Sequence, residues 1–515
     1  MTILMILLGN FFSNRLKTVS IHLSSVFCKH LGMHFNVKEC GVKSMQKPMR
    51  TIVSAAVVAM MASTIANAGS FSLYTESTAS AVGNYAAGVA AEAADASTGW
   101  YNPAGLALIR QQQVVVGAVG VFPSSELTGT STFRTVGLPP FGQTFSGIQG
   151  AKDAVVPSFH YALPLGENAT FGLSIVSPFG LVTDWDKTSQ VRYGATISEL
   201  ITTNVSPEIG GKLTENLALG GGIDFQYARV KFNRILGEPA LMQAFGFPPS
   251  FVDSMSYNKG DSFGIGFHAG VLTMFNDNHT RIGLNYQSQM KHKFNGYSRL
   301  GGRYASPGFN VINPVSVATA TPNNTIWNNN LSSNDIDLPE IVTLSAYQDV
   351  NEKLALLGSV VYTGWHSLRT IQLNNALTSA PVVGVVKVIS ASIEDYDNAW
   401  RFALGANYHV NEQLMLRVGG GYDQTPTTNL HRSIRIPDSD RWALSIGAHY
   451  QLKPEIGVDV GYTHLFATGD RRINRTDPVS SFSTYNINAD IDAHADLVGI
   501  QAVWTIDKPV PVATK

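Results

Sequence analysis

Four cations stand out by position. Lys291 and Lys293 close the segment RIGLNYQSQMKHKF, while Arg401 and Arg441 open WRFALGANYHV and RWALSIGAHYQL. With the period-2 alternation of strands, all four fall on polar faces, at the ends that adjoin long connections. Arg417 lies on a polar face at the opposite end of its own segment. A guanidinium so placed can hold a carboxylate through two parallel hydrogen bonds. The competing assignment is an internal ion pair, and Arg441 with Asp438 or Asp440 in PDSDR is the clearest instance. Arg401 and Lys291 are the stronger candidates for a ligand. A second feature is apolar. The stretch GEPALMQAFGFPPSFVDSM (237–255) carries Leu241, Met242, Phe245, Phe247 and Phe251 within a connection. Leu241 and Phe245 are four apart, on one helical face. Exposed apolar patches mark binding surfaces. The alternative is a lid packed on the neighbouring connection, 297–337.

Catalytic chemistry is not indicated. No G-x-S-x-G, H-E-x-x-H or phosphate-binding glycine loop occurs. Glycine runs such as LGGGID lack the strand–turn–helix context that a phosphate site needs. No enzyme, metal or cofactor is expected.

The elements that position these residues are strands. From Gln113 onward, fourteen candidates follow one another, most about 10 residues long, the length a tilted membrane strand needs. Short connections (GEN, TEN, NDNH, NEK, NEQ, KPE) alternate with long ones. Short turns on one side, long loops on the other and an even strand count make an outer-membrane barrel signature. Ile282, Leu284, Tyr286 and Met290 share one face, while Asn285, Gln287, Gln289 and Lys291 share the other. Tyr450, Phe466 and Trp504 sit near strand ends, where an aromatic girdle would lie. The inner face is mixed rather than uniformly polar, which argues against a wide diffusion porin. Charged residues are only 14% of the chain, against roughly 25% in soluble domains.

The N-terminus carries processing information. Met49-Arg50 leads into TIVSAAVVAMMAS and then Ala66-Asn67-Ala68, a basic, apolar and A-x-A sequence that predicts a signal peptide at 45–68. Residues 1–44 precede it and suggest a start at Met45 or Met49; the alternative is a genuine extension. Cys28 and Cys40 both lie there, so no disulfide framework is expected. Residues 1–68 hold seven of the 36 Lys/Arg and one of the 37 Asp/Glu, leaving a net charge of −7 beyond them. That argues against a nucleic-acid footprint.

Between the signal and the first strand lies 69–112, an Ala-, Ser- and Gly-rich segment ending in GWYNPAGLALI. Asn-Pro favours a turn, and Trp100, Leu106, Leu108 and Ile109 need burial. A partly helical plug in the lumen satisfies both; the alternative is a disordered leader. The fold expected is therefore all-β: a fourteen-stranded antiparallel transmembrane barrel (113–506) with a small N-terminal hatch, then a periplasmic tail, 507–515.

YNPAGLALI resembles the hatch motif of the FadL-type long-chain fatty acid transporters of Gram-negative outer membranes, with Asn102, Pro103 and Ala104 at its centre. SPFGLVTDW (177–185), LPE (338–340) and RSIRIPDSDRWALSIG (432–447) are similar to family segments, in the same order. The resemblance covers 69–506. It implies passive passage of hydrophobic molecules, captured at outer loops, held in the lumen and released sideways through a kink in the third strand. Pro178, Phe179 and Gly180 match that kink, since Pro removes a ladder donor and Gly follows it. Pro178 could instead simply end the strand. The resemblance implies a long-chain fatty acid as partner. Aromatic hydrocarbons are the nearest rival, and a general porin, structural barrel or adhesin the rivals of another class. Outer-membrane lipids, the barrel assembly machinery and a monomeric state complete the expectations. The tail after Trp504 departs from the family's terminal aromatic. The Asn-rich stretch 324–335 is expected to be a mobile loop.

Overall fold

Alternating strands of this composition need lipid on one face and a partner surface on the other, and closing the sheet on itself supplies both. The computed structural model describes residues 72–506. The signal, the upstream residues with both cysteines and the tail lie outside the described residues. Among the described residues, fourteen antiparallel strands form the barrel. In chain order they are Gln113–Thr135, Ala154–Pro164, Ala169–Val176 with Gly180–Asp184, Ile197–Thr214, Leu217–Phe232, Ser254–Phe275, and Thr280–Gln287 with Met290–Gly302. They continue with Asn323–Leu338 joined to Ile341–Asp349, then Leu354–Thr363, Ala399–His409, Leu414–Asp423, Asp440–Lys453, Ile456–Thr468 and Ser483–Thr505. All fourteen sequence segments are strands. Closure comes from the first strand pairing with the last, Gln113 opposite Thr505 through Thr135 opposite Ser483.

A barrel leaves no backbone group facing lipid unpaired, which is why a sheet can cross a membrane only when closed. The side chains follow. Leu444 and Ile446 are 64% and 61% exposed on the outer face, while Asn285 and Asp459 on the inner face are 2% and 1% exposed. Among the described residues no helix is long and apolar enough to cross a membrane. The short turns reverse sharply: Asn276, Asp277 and Asn278 all take positive φ, a conformation that Asn and Asp tolerate better than bulkier residues.

Sequence alternation fails where the ladder is interrupted. Ser288 and Gln289 fall between the two halves of the seventh strand. Gln287 and Met290 are therefore both buried inside, three residues apart. The interruption flips every later side chain. Met290, His292 and Phe294 point inward, and Lys291 and Lys293 face outward. Lys291 and Lys293 are thus not lumenal, contrary to the expectation from sequence.

The long connections are more ordered than their composition suggests. The first, sixth and last strands extend beyond the ~10 residues that a bilayer requires. The Asn-rich stretch is part of strand Asn323–Leu338, not a loop. It pairs with Met290–Gly302 and is braced by a hairpin, Thr370–Ala380 with Gly384–Ile393. Asn328 Nδ2 donates to Asn375 O at 3.0 Å, and Asn334 Nδ2 to Thr370 O at 2.8 Å. Side-chain amides here add to a small apolar contact of Leu331 with Leu373 and Ala376.

Candidate functional site

The N-terminal segment lies within the barrel. It folds as short helices, Ala79–Asn84, Val89–Glu92 and Thr98–Tyr101, followed by a 3-10 turn, Pro103–Leu108. Asn102 caps that turn: its Oδ1 accepts from Ala104 N at 3.1 Å, a standard cap arrangement. Its Nδ2 donates to Ala90 O at 2.7 Å and to Val271 O, on the barrel wall, at 3.0 Å. Asn102 and Ala104 are fully buried.

The wall accepts this segment because it lacks side chains there. Gly210, Gly220 and Gly270 sit side by side on the fourth, fifth and sixth strands. A methyl group on Gly210 would lie 1.9 Å from Pro103 O, and one on Gly270 would lie 1.9 Å from Asn102 Oδ1. Gly447, Gly461 and Gly499 form a second row, on the twelfth, thirteenth and fourteenth strands. Helix Ala79–Asn84 lies on it, with Gly83 Cα 2.6 Å from where a Gly447 methyl would be. Sequence reading missed these rows. The glycine runs were visible, but alignment across strands needs the register.

The third strand is broken at Ser177–Phe179. Its first part pairs with the second strand from Phe159 opposite Ile175. Its second part, Gly180–Asp184, pairs with the fourth strand. Between Phe159 and the single bridge Ala151–Thr183, the second and third strands share no ladder. The second strand contributes Pro157 to this stretch, another missing donor. Residues Ser72 and Leu73 fill the gap from inside. Leu73 N donates to Pro178 O at 2.8 Å, and Ser72 bridges Phe179. Phe179 is buried, edge-on to Trp365 with centroids 6.0 Å apart.

Above the lumen, the connection after the fifth strand forms helix Pro239–Ala244. Leu241 and Met242 are buried, and Phe245, Phe247 and Phe251 are half-buried. They pack with Tyr304, Phe309, Val311 and Val317 of the neighbouring loop, and Phe247 stacks on Phe251 at 4.8 Å. This is the loop-on-loop packing that the sequence left open beside a binding role.

The remaining cations are inward and partnered. Arg401 binds the N-terminal segment, donating to Thr75 Oγ1 and, at 3.0 Å, to Tyr85 O. Its guanidinium lies 3.9 Å from the Tyr85 ring centroid. Arg441 pairs with Asp438 at 3.0 Å and Asp423 at 3.7 Å, so the internal pair is what forms; Asp440 bonds Tyr422 instead. Arg417 pairs with Asp459. None of the four cations chosen from sequence is both lumenal and unpartnered.

A closed antiparallel barrel of fourteen strands, plugged by an N-terminal segment, broken at its third strand and capped by apolar loops, defines an outer-membrane channel for hydrophobic molecules. Comparison with known proteins gives the family. Residues 59–505 match the model of the outer membrane protein transport protein family (OMPP1/FadL/TodX), and the chain belongs to that family. The long-chain fatty acid transport protein of Escherichia coli (strain K12) is 27% identical over 439 residues, covering 82% of this chain and 93% of its own. Outer membrane protein P1 of Haemophilus influenzae is 27% identical, covering 86% and 97%. A Pseudomonas aeruginosa FadL homologue superposes with a TM-score of 0.71 at 23% identity, covering 85% of this chain and all of that one. The Pseudomonas putida toluene transporter TodX superposes with a TM-score of 0.56 at 14% identity, covering 86% and 99%. The chain is an outer-membrane transporter of hydrophobic molecules.

Proposed function

We propose that this chain carries long-chain fatty acids across the outer membrane by diffusion. Cargo is captured between helix Pro239–Ala244 and the loop around Phe309. It then enters the lumen and leaves sideways between the second and third strands. The observation that carries the reading is the missing ladder at Ser177–Phe179. A closed ladder holds lumen and lipid apart, whereas a stretch without one needs only Ser72 and Leu73 to withdraw. An apolar cargo gains from that route, because it passes into hydrocarbon without crossing water. Apolar groups line it: Phe179, Leu181, Leu200 and Trp365 pack together on the inner side. The names of the sequence relatives supply the fatty acid.

The test is oleate uptake by a Gram-negative host lacking its own fatty acid transporter, with entry of a hydrophilic antibiotic measured in the same cells. Restored oleate uptake with unchanged antibiotic entry is expected. Absent oleate uptake in correctly assembled protein would sink the fatty acid assignment and send the search to monoaromatic hydrocarbons, the cargo for which the toluene transporter is named. Increased antibiotic entry would indicate an open porin.

A further inference from the structure

Beyond the hydrophobic band, charge is distributed unevenly around the outside of the barrel. On the sixth and seventh strands, the outward positions past Phe263 and Tyr286 carry Lys259, Lys291, Lys293 and Arg299 against one carboxylate, Asp261. On the first and last strands the balance is reversed: Glu126, Asp490, Asp492 and Asp496 stand with Arg134. Charge that served only to keep the rim in water would have no reason to gather by sign.

The strands beside the basic wall do not neutralise it. Arg229 and Lys231 on the fifth share Glu199, at 3.0 Å and 2.7 Å. Asp335 and Asp337 on the eighth stand across from Lys293 and Lys291 in the register. With these included, six cations face four carboxylates. Among the described residues, no carboxylate lies within 4 Å of Lys259, Lys293 or Arg299. Arg299 is held in place without being neutralised. Its guanidinium lies 4.0 Å from the Tyr257 ring centroid and 5.2 Å from that of Trp327, and its Nε has no acceptor among the described residues. Tyr297 packs on Trp327 at 4.9 Å, and Trp327 stays 52% exposed. Lys259 lies across from Tyr297. Toward the membrane, Phe263, Ile265 and Phe267 point outward and are exposed. Three kinds of surface thus follow one another up one wall: apolar side chains, cations without ion pairs, and an exposed ring. Guanidinium and ammonium groups hold phosphate well, and the negative face of an indole receives the C–H edge of a sugar.

We propose that this wall docks a phosphorylated glycolipid of the outer leaflet. Its phosphates meet Lys259, Lys293 and Arg299, its sugars lie against Trp327, and its acyl chains run along Phe263 and Ile265. The site is on the outside of the barrel and is independent of the cargo in the lumen. It gives the barrel a bound lipid on one side, away from the acidic seam.

The purified full chain in detergent is titrated with lipid A bearing its phosphates, with the same lipid A after their removal, and with phosphatidylglycerol, an anionic lipid without sugar rings. The native chain is expected to bind phosphorylated lipid A about tenfold more tightly than either of the others, a difference of about 1.4 kcal/mol. In Lys259→Gln/Lys293→Gln/Arg299→Gln that preference disappears. Lys259→Gln/Lys293→Gln, which leaves the stacked arginine in place, reduces it about threefold. Lys453→Gln, at a short turn on the opposite rim, keeps it. Retained resistance to unfolding in sodium dodecyl sulfate confirms that each variant is assembled; if the triple variant fails this, the double variant decides. Equal binding of the two forms of lipid A by the native chain, or an undiminished preference in an assembled triple or double variant, overturns the site. Equal binding of phosphatidylglycerol and phosphorylated lipid A overturns the glycolipid as its occupant. An equal loss in Lys453→Gln also overturns it, because net charge rather than this wall would then set the affinity.

Discussion

The N-terminal segment and the outer loops fill opposite ends of one barrel and are held there in different ways. The hatch meets the wall backbone to backbone, across two rows of glycine, with buried charge beside it. The loops meet each other through large apolar side chains and half-buried rings. Contact across glycine has one geometry and no tolerance, because added atoms collide with main chain. Contact between flexible apolar side chains can re-pack around a guest. A plug needs the first kind of contact and a capture surface needs the second.

That contrast can be broken at graded strength. The largest effect is expected from Arg417→Leu, which strands Asp459 beside the hatch, where the two side chains are 3% and 1% exposed. Removing one partner of a buried pair costs about 3–5 kcal/mol, and a matching fall in unfolding free energy in denaturant is the readout. An unchanged midpoint would mean that His449, 3.1 Å from Asp459, suffices alone. Next comes Gly270→Val, which drives atoms into Asn102. Overpacking costs about 1–3 kcal/mol, and here it should displace the hatch and admit hydrophilic antibiotic. Normal antibiotic exclusion by an assembled variant would show that the glycine row does not seat the plug. Phe245→Ala comes third. It removes a half-buried ring from the loop cluster and should lower oleate uptake several-fold with little loss of stability, about 1 kcal/mol. Full uptake would return that loop to a purely structural role. Lys293→Gln should be smallest, within about 0.5 kcal/mol and without effect on uptake, since the side chain faces outward. A fall in uptake would restore the lumenal placement suggested by alternation.

Strand identity was legible because it is a local, repeated pattern. Segments such as RWALSIGAHY and EIGVDVGYTH alternate without interruption, and the short turns between hairpins carry Asn, Asp and Glu. The orientation of Lys291 and Lys293 was not legible, because the two-residue interruption at Ser288 and Gln289 reverses it without changing the composition. The glycine rows were hidden for a related reason. Gly210, Gly220 and Gly270 lie on three different strands and come side by side only through register. The Arg441–Asp438 pair was legible, being three residues apart in one run.

The seam between the first and last strands is the longest uninterrupted ladder, 23 residues on each side with no shift of register. Its two halves are separated by almost the whole length of the barrel sequence. Every other neighbouring pair of barrel strands is joined by a single connection and can zip locally, but this one must wait for the entire sheet to be laid down. The hatch precedes the first strand and presses on both sides of the seam, through Ala79 at Gly499 on the last strand and through Ala96 and Leu106 packed with Val115 on the first. It is made before any strand that it touches, so it is at hand when the seam closes around it. The chain thus wraps its own stopper, and the order of its segments doubles as an order of assembly.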